Sequence, residues 1–436
     1  MARSGGEGLL SSDGDAAWSG RYRQTGASAL YLHVPFCVSK CAYCDFPSWA
    51  TRHGDPLMAS YVETLEGQLS ELRDLGLLSD VGCAYLGGGT PSLLGADLLG
   101  RLVACVWESC PDVEEFSCAA NPESLSDQVL DALVASGASR VSVGVQSLCD
   151  AELRELGRVH TADQALDRLR AALGRGLDVS ADLMCAIPLQ TDQSWLESLD
   201  GLVRTGIGHV SVYPLTIEEG TALDRRVGDE DLAWNDPDVQ ASRMGMAERV
   251  LGEAGFSRYE VASYAMPGKA CRHNQTYWTG QPYLGLGTGA SGMLTTLGYV
   301  ALGEICNQLP PAPAGTERVR LSVTSSRQEI ACGRGLRDLA FDLEFLTWRQ
   351  ALAEDLMLGA RLSAGVDAGL LALAGDAFGP ALDACLGEVE GRGLARMTEE
   401  GRLAPTEKGW LLGNELYGLL WGLASDDGEV KSGRSL

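Results

Sequence analysis

The stretch ALYLHVPFCVSKCAYCDF, residues 29–46, joins a candidate strand to three closely spaced cysteines. Its first six residues are apolar or aromatic enough to form a buried strand. Cys37, Cys41 and Cys44 follow with the spacing C-x3-C-x2-C. Three thiolates on one loop can bind three irons of a [4Fe-4S] cluster and leave the fourth iron open to a small molecule. Zinc would ordinarily need four ligands in two C-x2-C pairs, and the sequence has no second pair. The remaining alternative, three structural thiols that share a loop by chance, is disfavoured by the aromatic Tyr43 between the last two cysteines.

Short apolar runs alternate with helical patterns from residue 29 to residue 261. Alternation of this kind indicates a parallel sheet with crossover helices, either an open sheet or a partial (βα)6 barrel. In both cases ligands collect where the carboxyl ends of the strands meet the following loops. We expect the α/β partial barrel, with strands at Ala29–Val34, Cys83–Leu86, Glu115–Ala119, Arg140–Gly144, Asp178–Met184 and His209–Tyr213.

The remaining segments differ in character from the barrel region. An antiparallel extension rich in Gly and aromatic residues should include strands at Tyr299–Cys306 and Val319–Thr324. Helical patterns around a predicted hairpin, GLARMTEEGRLAPT, with a last helix from Glu407 to Leu420, then indicate a small winged-helix-like C-terminal domain. The predicted organisation is a flexible leader (1–28), the barrel (29–261), the extension (262–347), the helical domain (348–422) and a polar tail (423–436).

Composition narrows the function classes. With 34 Lys and Arg against 59 Asp and Glu, the formal net charge is −25, which argues against a nucleic-acid binder. The winged-helix-like region itself, 349–421, carries six basic and eleven acidic residues. Thirteen cysteines without an export signal argue against a disulfide framework, and no apolar run is long enough for a bilayer span. We therefore expect a cytoplasmic protein.

Several longer motifs resemble the radical S-adenosylmethionine (SAM) superfamily. YLHVPFC (31–37), YLGGGTPSLL (85–94), VSVGVQS (141–147) and YPLTIEEGT (213–221) are similar to its coproporphyrinogen-dehydrogenase-like branch. HNQTYW (273–278) and YLGLGTGA (283–290) most resemble the HemW-type heme chaperones within that branch. The resemblance implies three cofactors, a [4Fe-4S] cluster held by the three cysteines, SAM and heme.

The resemblance also implies a role for individual residues at the carboxyl ends of the strands. A guanidinium suits a carboxylate, an acidic side chain suits ribose hydroxyls, and bare glycine lets the backbone approach a ligand. Without the resemblance, Gln146 would be read as a turn residue and Arg158 as a solvated cation. The implied cofactor contacts are Tyr31 beside SAM, Tyr43 behind the cluster, Gly88, Gly89 and Thr90 at the methionine part, Gln146 as a hydrogen-bonding group, Arg158 at the carboxylate and Asp182 at the ribose.

His273 is the candidate axial ligand for heme. Neutral imidazole binds heme iron, and Tyr277 and Trp278 offer aromatic surface for a porphyrin. The alternative reading is a hydrogen-bonded structural histidine. Cys271 lies two residues away and is a second candidate ligand, with a plain buried thiol as its alternative.

Some positions depart from the pattern of the branch. Ala119 stands where Glu is usual, Leu189 where Gly is usual, and Ser291 where His is usual. Coproporphyrinogen III dehydrogenase itself has a fourth cysteine two residues after the third and a longer N-terminal segment, whereas this chain has Phe46 there and a short leader.

The expected function is that of a heme chaperone that passes heme to an apo-acceptor. The alternative is radical decarboxylation of coproporphyrinogen, so whether the protein is an enzyme stays open. A third reading is a non-catalytic interaction protein that docks through its C-terminal domain. The resemblance leaves open a respiratory acceptor, peripheral membrane association and a homodimer.

Overall fold

The structure is a computed structural model that describes residues 24–230 and 236–425. Most of the leader predicted at 1–28 and most of the tail predicted at 423–436 lie outside the described residues. In the rest of the chain, the α/β architecture expected from the sequence is confirmed, with helices packed against one large sheet.

Twelve described strands form the main sheet, in the order β14-β13-β12-β11-β1-β4-β5-β6-β7-β8-β10-β9. Its centre, from β1 to β8, is parallel and contains the six predicted strands. Two further pairs, β2 with β3 and β15 with β16, stand apart. The strands are β1 Ala29–Val34, β2 Phe36–Cys37, β3 Trp49–Ala50, β4 Cys83–Gly88, β5 Glu115–Ala120, β6 Arg140–Gln146, β7 Asp178–Cys185, β8 His209–Pro214, β9 Ser257–Arg258, β10 Ser263–Ala265, β11 Tyr283–Leu286, β12 Ser291–Thr295, β13 Thr316–Val323, β14 Phe341–Thr347, β15 Ala395–Met397 and β16 Leu403–Pro405.

Helices follow most of the parallel strands, as a right-handed crossover topology requires. Several begin at side-chain caps, such as Ser126 before the helix Asp127–Ala135 and the reciprocal Thr191–Ser194 pair at the start of the helix Asp192–Val203. The helices are α1 Pro56–Asp74, α2 Gly95–Ser109, α3 Asp127–Ala135, α4 Asp150–Glu155, α5 Ala162–Leu173, α6 Asp192–Val203, α7 Ala222–Glu230, α8 Pro237–Glu253, α9 Arg272–Trp278, α10 Thr296–Gly303, α11 Arg327–Ala331, α12 Trp348–Gly359, α13 Ala368–Phe378, α14 Pro380–Gly391, α15 Glu407–Leu411 and α16 Gly413–Trp421.

The two faces of the parallel sheet have opposite chemistry. Alternate residues such as Leu30 and Leu32 of β1 belong to the main apolar core with the helices. The other face carries polar side chains, because Ser142 of β6 hydrogen-bonds Asp182 of β7, and Asp182 pairs in turn with Ser211 of β8. The sheet therefore encloses a polar interior whose open end lies at the carboxyl ends of the strands.

The segment around α9 closes the opposite end of the barrel. Glu115, at the start of β5, accepts from the backbone N–H of Arg272 and from the thiol of Cys271. Arg140, at the start of β6, donates to Glu115 and to the carbonyl of Lys269. These buried bonds fix α9 beneath the amino ends of the strands, and we call this region the floor.

The predicted antiparallel strand at Tyr299–Cys306 is wrong, because helix α10 extends to Gly303 and a turn follows it. Thr295 caps the helix through the N–H of Gly298. Tyr299 and Leu302 are buried three residues apart, while Leu297 and Val300 face solvent, so the apolar period is helical despite the β-branched and aromatic composition. The extension also adds β11, which pairs in parallel with β1.

The C-terminal helices and the β15–β16 hairpin pack around an apolar core of their own. The final helix predicted from Glu407 to Leu420 is interrupted at Leu412 into α15 and α16. Arg318 of β13 donates to Glu354 and Asp355 of α12 (2.5 and 2.7 Å), which ties this core to the main sheet. No helix in the described part of the chain is long and apolar enough to cross a bilayer.

Candidate functional site

The three-cysteine loop lies over the open end of the barrel and is held there by backbone bonds. Ala42 donates its N–H to the carbonyl of Leu156 (2.9 Å) and accepts from the N–H of Leu223 (2.8 Å). Tyr43 packs against a small apolar cluster that is separate from the main core. That cluster contains Leu156, Met184, Ile187, Leu215 and Leu223.

The three loop cysteines are free and half-buried, and two of them accept hydrogen bonds. Thr90 Oγ1 donates to the sulfur of Cys37 (3.5 Å), and Arg158 Nη1 donates to the sulfur of Cys41 (3.5 Å). Burial raises the pKa of Cys37, although hydrogen bonds from Thr90 and Ser48 act in the opposite direction. Close thiols that receive donors suit an iron–sulfur cluster, in which each thiolate binds a different iron and hydrogen bonds stabilise the sulfur charge. In the described residues no three His, Cys, Asp or Glu side chains are placed to share a single metal ion, and a cluster does not require this.

A hydrogen-bonded chain joins Cys37 to Cys41 across the open end. Thr90 donates to Cys37 and accepts from Asn121 Nδ2 (2.9 Å), and Asn121 Oδ1 accepts from Arg158 Nη2 (2.7 Å). Arg158 completes the chain at Cys41. Asn121 had no role predicted from the sequence, although it lies directly after a predicted strand and before a proline, where ligand-binding residues collect.

The glycines of the turn after β4 make room for neighbouring groups of the barrel and of the loop. Gly88 has φ +103°, and a Cβ there would lie 2.6 Å from the imidazole of His33. At Gly89 a Cβ would lie 2.7 Å from the carbonyl oxygen of Phe36 and 3.0 Å from the sulfur of Cys37. A larger residue would therefore displace β1 or the cysteine loop.

Gln146 and Arg158 meet over Gly144 at the end of β6. Arg158 Nη2 donates to the carbonyl of Gly144 (2.7 Å). A Cβ on Gly144 would lie 3.0 Å from Gln146 Nε2 and 3.3 Å from Arg158 Nη2. Gln146 has φ +65°, a conformation that costs a non-glycine residue about 1–2 kcal/mol. Strain of this kind is often retained at functional sites, because it aims a side chain.

Asp182 lies inside the barrel between two serines of the neighbouring strands. Ser142 Oγ donates to both of its carboxylate oxygens (3.3 Å). Burial raises the pKa of Asp182 to about 6, although hydrogen bonds from Ser211 and Ser142 act in the opposite direction. A carboxylate presented in this way can accept hydrogen bonds from hydroxyl groups of a ligand.

Tyr31 and His33 connect the barrel interior with the cysteine loop. His33 Nε2 donates to the carbonyl of Pro47 (3.0 Å), so Nδ1 is the acceptor for the hydroxyl of Tyr31 (3.1 Å). Burial lowers the pKa of His33 to about 4, which keeps the ring neutral near pH 7. The Tyr31–His33 pair thus holds the cysteine loop at Pro47, three residues beyond Cys44.

His273 lies at the floor, away from the cysteine loop. Its ring is 2% exposed, and its Nε2 hydrogen-bonds the hydroxyl of Tyr277 (2.7 Å). Its Nδ1 lies 3.8 Å from the sulfur of Cys83, and its ring stacks on Tyr85 with centroids 5.2 Å apart. Burial lowers its pKa to about 3. Ligation of iron would require one of these nitrogen contacts to break, whereas the structural reading accounts for all of them.

The other aromatic and thiol groups of the α9 segment are also hydrogen-bonded or stacked. Trp278 Nε1 donates to Glu260 (3.1 Å), and its ring stacks on the guanidinium of Arg361, 5.1 Å from the ring centre. Cys271 is buried and bonds Glu115, and burial raises its thiol pKa to about 12. The structure therefore does not bring His273, Cys271 and Trp278 together around an open cavity.

The three departures have different structural consequences. Ala119 lies on β5 opposite Ser142 and adds no polar group to the interior. Leu189 has φ +64° and is 65% exposed, which explains why glycine would suit this turn. Ser291 hydrogen-bonds Ser322 across the β12–β13 pair (3.0 Å).

Exposed apolar side chains are concentrated around the open end. Six of the thirteen large apolar side chains that are exposed on the described chain lie on the cysteine loop or on other loops and strand ends at that end. We call this set the apolar rim, and it consists of Val38, Phe46, Trp49, Val159, Leu189 and Tyr213. Apolar side chains exposed beside a polar site can contact the apolar part of a ligand or partner.

Comparisons with known proteins agree with this architecture. The family model described as the radical SAM superfamily matches residues 31–202. The heme chaperone HemW of Mycobacterium tuberculosis is 40% identical over 271 residues, 61% of this chain and 69% of that protein. HemW of Lactococcus lactis is 34% identical over 70% of this chain and 79% of that protein. The solved structure of coproporphyrinogen III oxidase (HemN) from Escherichia coli has a TM-score of 0.72 at 21% identity and covers 93% of each chain, which shows a shared fold.

Proposed function

Because the chain belongs to the radical SAM superfamily and, within it, to the HemW family, we propose that it is an iron–sulfur heme chaperone. It would bind heme and deliver it to an acceptor protein. The observation that carries this proposal is the three-cysteine loop with its Thr90 and Arg158 donors, in a chain 40% identical to a heme chaperone. We place the protein in the cytoplasm, in keeping with the sequence expectation.

In this proposal Cys37, Cys41 and Cys44 hold a [4Fe-4S] cluster, and SAM binds at its open iron. When bound, SAM offers an amino and a carboxylate group as iron ligands and is the source of a 5′-deoxyadenosyl radical in related enzymes. The residues available to hold it are those assigned by the resemblance, which line the same open end. Asp182 would accept hydrogen bonds from hydroxyl groups, Arg158 would offer a cation, and Gln146 would offer its side-chain amide. The Thr90 hydroxyl is bonded to Cys37 and Asn121, so Thr90 would act by holding the loop beside the methionine part.

We place heme on the apolar rim rather than at the floor. A porphyrin is a broad apolar plane, and the rim offers exposed apolar side chains such as Phe46 and Leu189 beside the cluster loop. Phe46 stands at the position where the dehydrogenase has its fourth cysteine. Phe46→Asp should weaken heme binding at least about tenfold by placing a charge in an apolar contact, whereas Leu411→Asp, at an exposed site of α15, should not.

Ligation by His273 is the second candidate for heme, and it rests on the resemblance of HNQTYW. For it to occur, the bond between His273 and Tyr277 would have to open and α9 would have to leave the floor. A heme titration of the His273→Ala variant separates the two locations.

Radical decarboxylation of coproporphyrinogen is the alternative activity. The likeness to HemN at 21% identity carries the fold alone, and Phe46 replaces a cysteine of that enzyme group. A reductive anaerobic assay that follows 5′-deoxyadenosine and carbon dioxide distinguishes the two functions. The chaperone proposal predicts heme transfer without loss of carbon dioxide from coproporphyrinogen.

The decisive experiment is an anaerobic heme titration of the reconstituted protein followed by transfer to an apo-hemoprotein. Binding near one heme per chain and transfer to the acceptor would support the proposal, and the absence of both would overturn it. A respiratory acceptor would be tested with apo-cytochrome in membrane vesicles, and dimerisation by light scattering with and without heme.

A further inference from the structure

We propose that His160 and Glu123 form a buried positioning pair that holds Arg158 and Gln146 in place for SAM. This inference rests on the proposed function, because it assumes that SAM binds at the open end. Neither residue had a role predicted from the sequence. Neither side chain faces the barrel interior. Both contact the segments that carry the side chains facing that interior.

His160 holds the end of β6 from behind. Its side chain is fully buried, and its Nε2 approaches the carbonyl oxygen of Val145 at 3.2 Å. A carbonyl can only accept, so Nε2 carries the proton and donates it. Arg158, two residues earlier, donates to the preceding carbonyl, that of Gly144. The short loop that carries Arg158 and His160 thus hydrogen-bonds two successive carbonyls of β6.

These two hydrogen bonds lie where strand β6 is irregular. The pairing of β6 with β7 shifts between Gly144 and Gln146, and Gln146 takes its positive φ directly after Val145. A strained residue persists only where its surroundings determine its conformation. The His160 bond supplies such a constraint one residue before Gln146.

Glu123 connects the same imidazole to the Asn121 segment. Its Oε2 lies 3.5 Å from His160 Nδ1, and neither atom has another partner among the described residues. A hydrogen bond between them requires a proton on Nδ1 as well as on Nε2, so the pair acts as an ion pair. The Glu123 side chain is 15% exposed. Burial would raise the pKa of Glu123, but His160 and Arg158 together hold that pKa below its usual value. The carboxylate therefore stays charged beside Arg158, whose guanidinium bonds Asn121 two residues before Glu123.

The pair differs from an ordinary buried histidine in what it connects. Its partners are Val145, next to Gln146, and Glu123, near Asn121, while His160 itself follows Arg158. A histidine that serves only the core would not link three segments that all present polar groups to one site. Outer residues of this kind orient inner ones, and their loss typically weakens metal or ligand sites roughly 10- to 100-fold.

The test uses His160→Leu, His160→Gln and the exposed-site control His53→Leu in the full chain. Each protein is reconstituted anaerobically, assayed for iron and sulfide, reduced, and titrated with SAM while the electron paramagnetic resonance (EPR) spectrum of the cluster is followed. We expect His160→Leu to keep its iron and sulfide but to bind SAM roughly 10- to 100-fold more weakly. The glutamine variant, whose Nε2 can still donate to Val145, should recover most of the affinity, and the control should match the wild type.

Three results would overturn the proposal. The first is an unchanged SAM titration in His160→Leu, and the second is a glutamine variant as weak as the leucine variant. If His160→Leu fails to retain the cluster, the Glu123→Gln variant is tested instead, because it keeps the shape of the side chain and removes only its charge. Wild-type SAM affinity in Glu123→Gln is the third result. If SAM does not change the EPR spectrum of the wild-type cluster, both the SAM site and the role of this pair are refuted. If only heme transfer is lost, the chaperone proposal alone is refuted.

Discussion

Arg158 Nη1 lies 3.5 Å from the sulfur of Cys41, so a permanent cation stands beside one of the three loop thiols. The same guanidinium is fixed by Asn121 Oδ1 and by the carbonyl of Gly144, each at 2.7 Å. Charges and hydrogen bonds near cluster sulfurs set the reduction potential of an iron–sulfur centre. Arg158 should therefore affect the reduction potential of the cluster whether or not SAM is bound.

Replacement of Arg158 by Leu should make the cluster harder to reduce. The cation stabilises the reduced form, which carries one more negative charge, so its loss should lower the midpoint potential. A shift of roughly 60 mV corresponds to about 1.4 kcal/mol for a one-electron couple and is the size we expect. An EPR-monitored redox titration measures it, with Arg154→Leu, at an exposed site of α4, as the matched control. An unchanged potential would contradict an electrostatic role.

Replacement of any one loop cysteine by Ser should sharply reduce bound iron. Because each thiolate binds a different iron, loss of one leaves only two protein ligands for the cluster. We expect about four irons and four sulfides per chain in the reconstituted wild type and far fewer in Cys37→Ser, Cys41→Ser and Cys44→Ser. Cys332→Ser, at an exposed thiol outside the loop, should retain the wild-type amount. Equal iron in all four variants would refute the cluster assignment.

Local patterns predicted most of the barrel because its strands and helices have strong periods of their own. The buried run at Arg140–Gly144 is an example, although the observed β6 extends to Gln146. The last two residues could not be predicted, since a register shift and a positive φ depend on neighbours from β7 and on the loop of Arg158 and His160.

The site was harder to predict where its contacts are distant in the sequence. Asn121 acts through Thr90 and Arg158, which lie 31 and 37 residues away, so the position of Asn121 after a strand does not reveal its partners. The motif around His273 predicted either a heme ligand or a hydrogen-bonded structural histidine. The burial of that side chain could not be predicted, because it depends on tertiary pairing of the α9 segment with Glu115 and Arg140. Propensity alone also misassigned α10 as a strand, because tertiary packing and capping outweigh β-branched composition.

Leu189→Gly should stabilise the protein. Leu189 has φ +64° and is largely exposed, so glycine would relieve backbone strain of about 1–2 kcal/mol and lose little packing. Greater freedom of glycine in the unfolded chain offsets about 0.5–1 kcal/mol of that gain. We expect a net gain of roughly 0.5–1 kcal/mol, measured by the denaturation midpoint. Leu297→Gly makes the same change in the exposed face of α10 and should instead destabilise by about 1 kcal/mol.

Asp182→Asn should have a pH-dependent effect on stability. Burial raises the pKa of Asp182 to about 6, from an ordinary value near 3.8, so the folded protein binds the proton more tightly than the unfolded chain. Its contribution is thus most favourable below about pH 4 and is lost as the pH rises through 6, a change on the order of 3 kcal/mol. The amide has no charge to bury.

The stability of Asp182→Asn minus that of the wild type should therefore be greatest above pH 6 and vanish near pH 4. Denaturation midpoints of both proteins across this range measure the difference, which also cancels the titration of other groups. A constant difference across the range would mean that the carboxyl titrates normally. The same variant should bind SAM more weakly at pH 7.5, because it replaces a carboxylate acceptor by an amide.

His273→Ala should destabilise the floor and leave heme binding intact. The substitution removes the stacking on Tyr85 and the bond to Tyr277 and leaves a cavity, which should cost about 2–4 kcal/mol in unfolding free energy. Tyr277→Phe, which removes only the hydroxyl partner, should cost about 1 kcal/mol. Spectral titration with heme at a temperature where both variants are folded should give the wild-type Soret band and affinity. A shifted Soret band in His273→Ala, with Tyr277→Phe unchanged, would instead establish His273 as the iron ligand and move heme from the apolar rim to the floor.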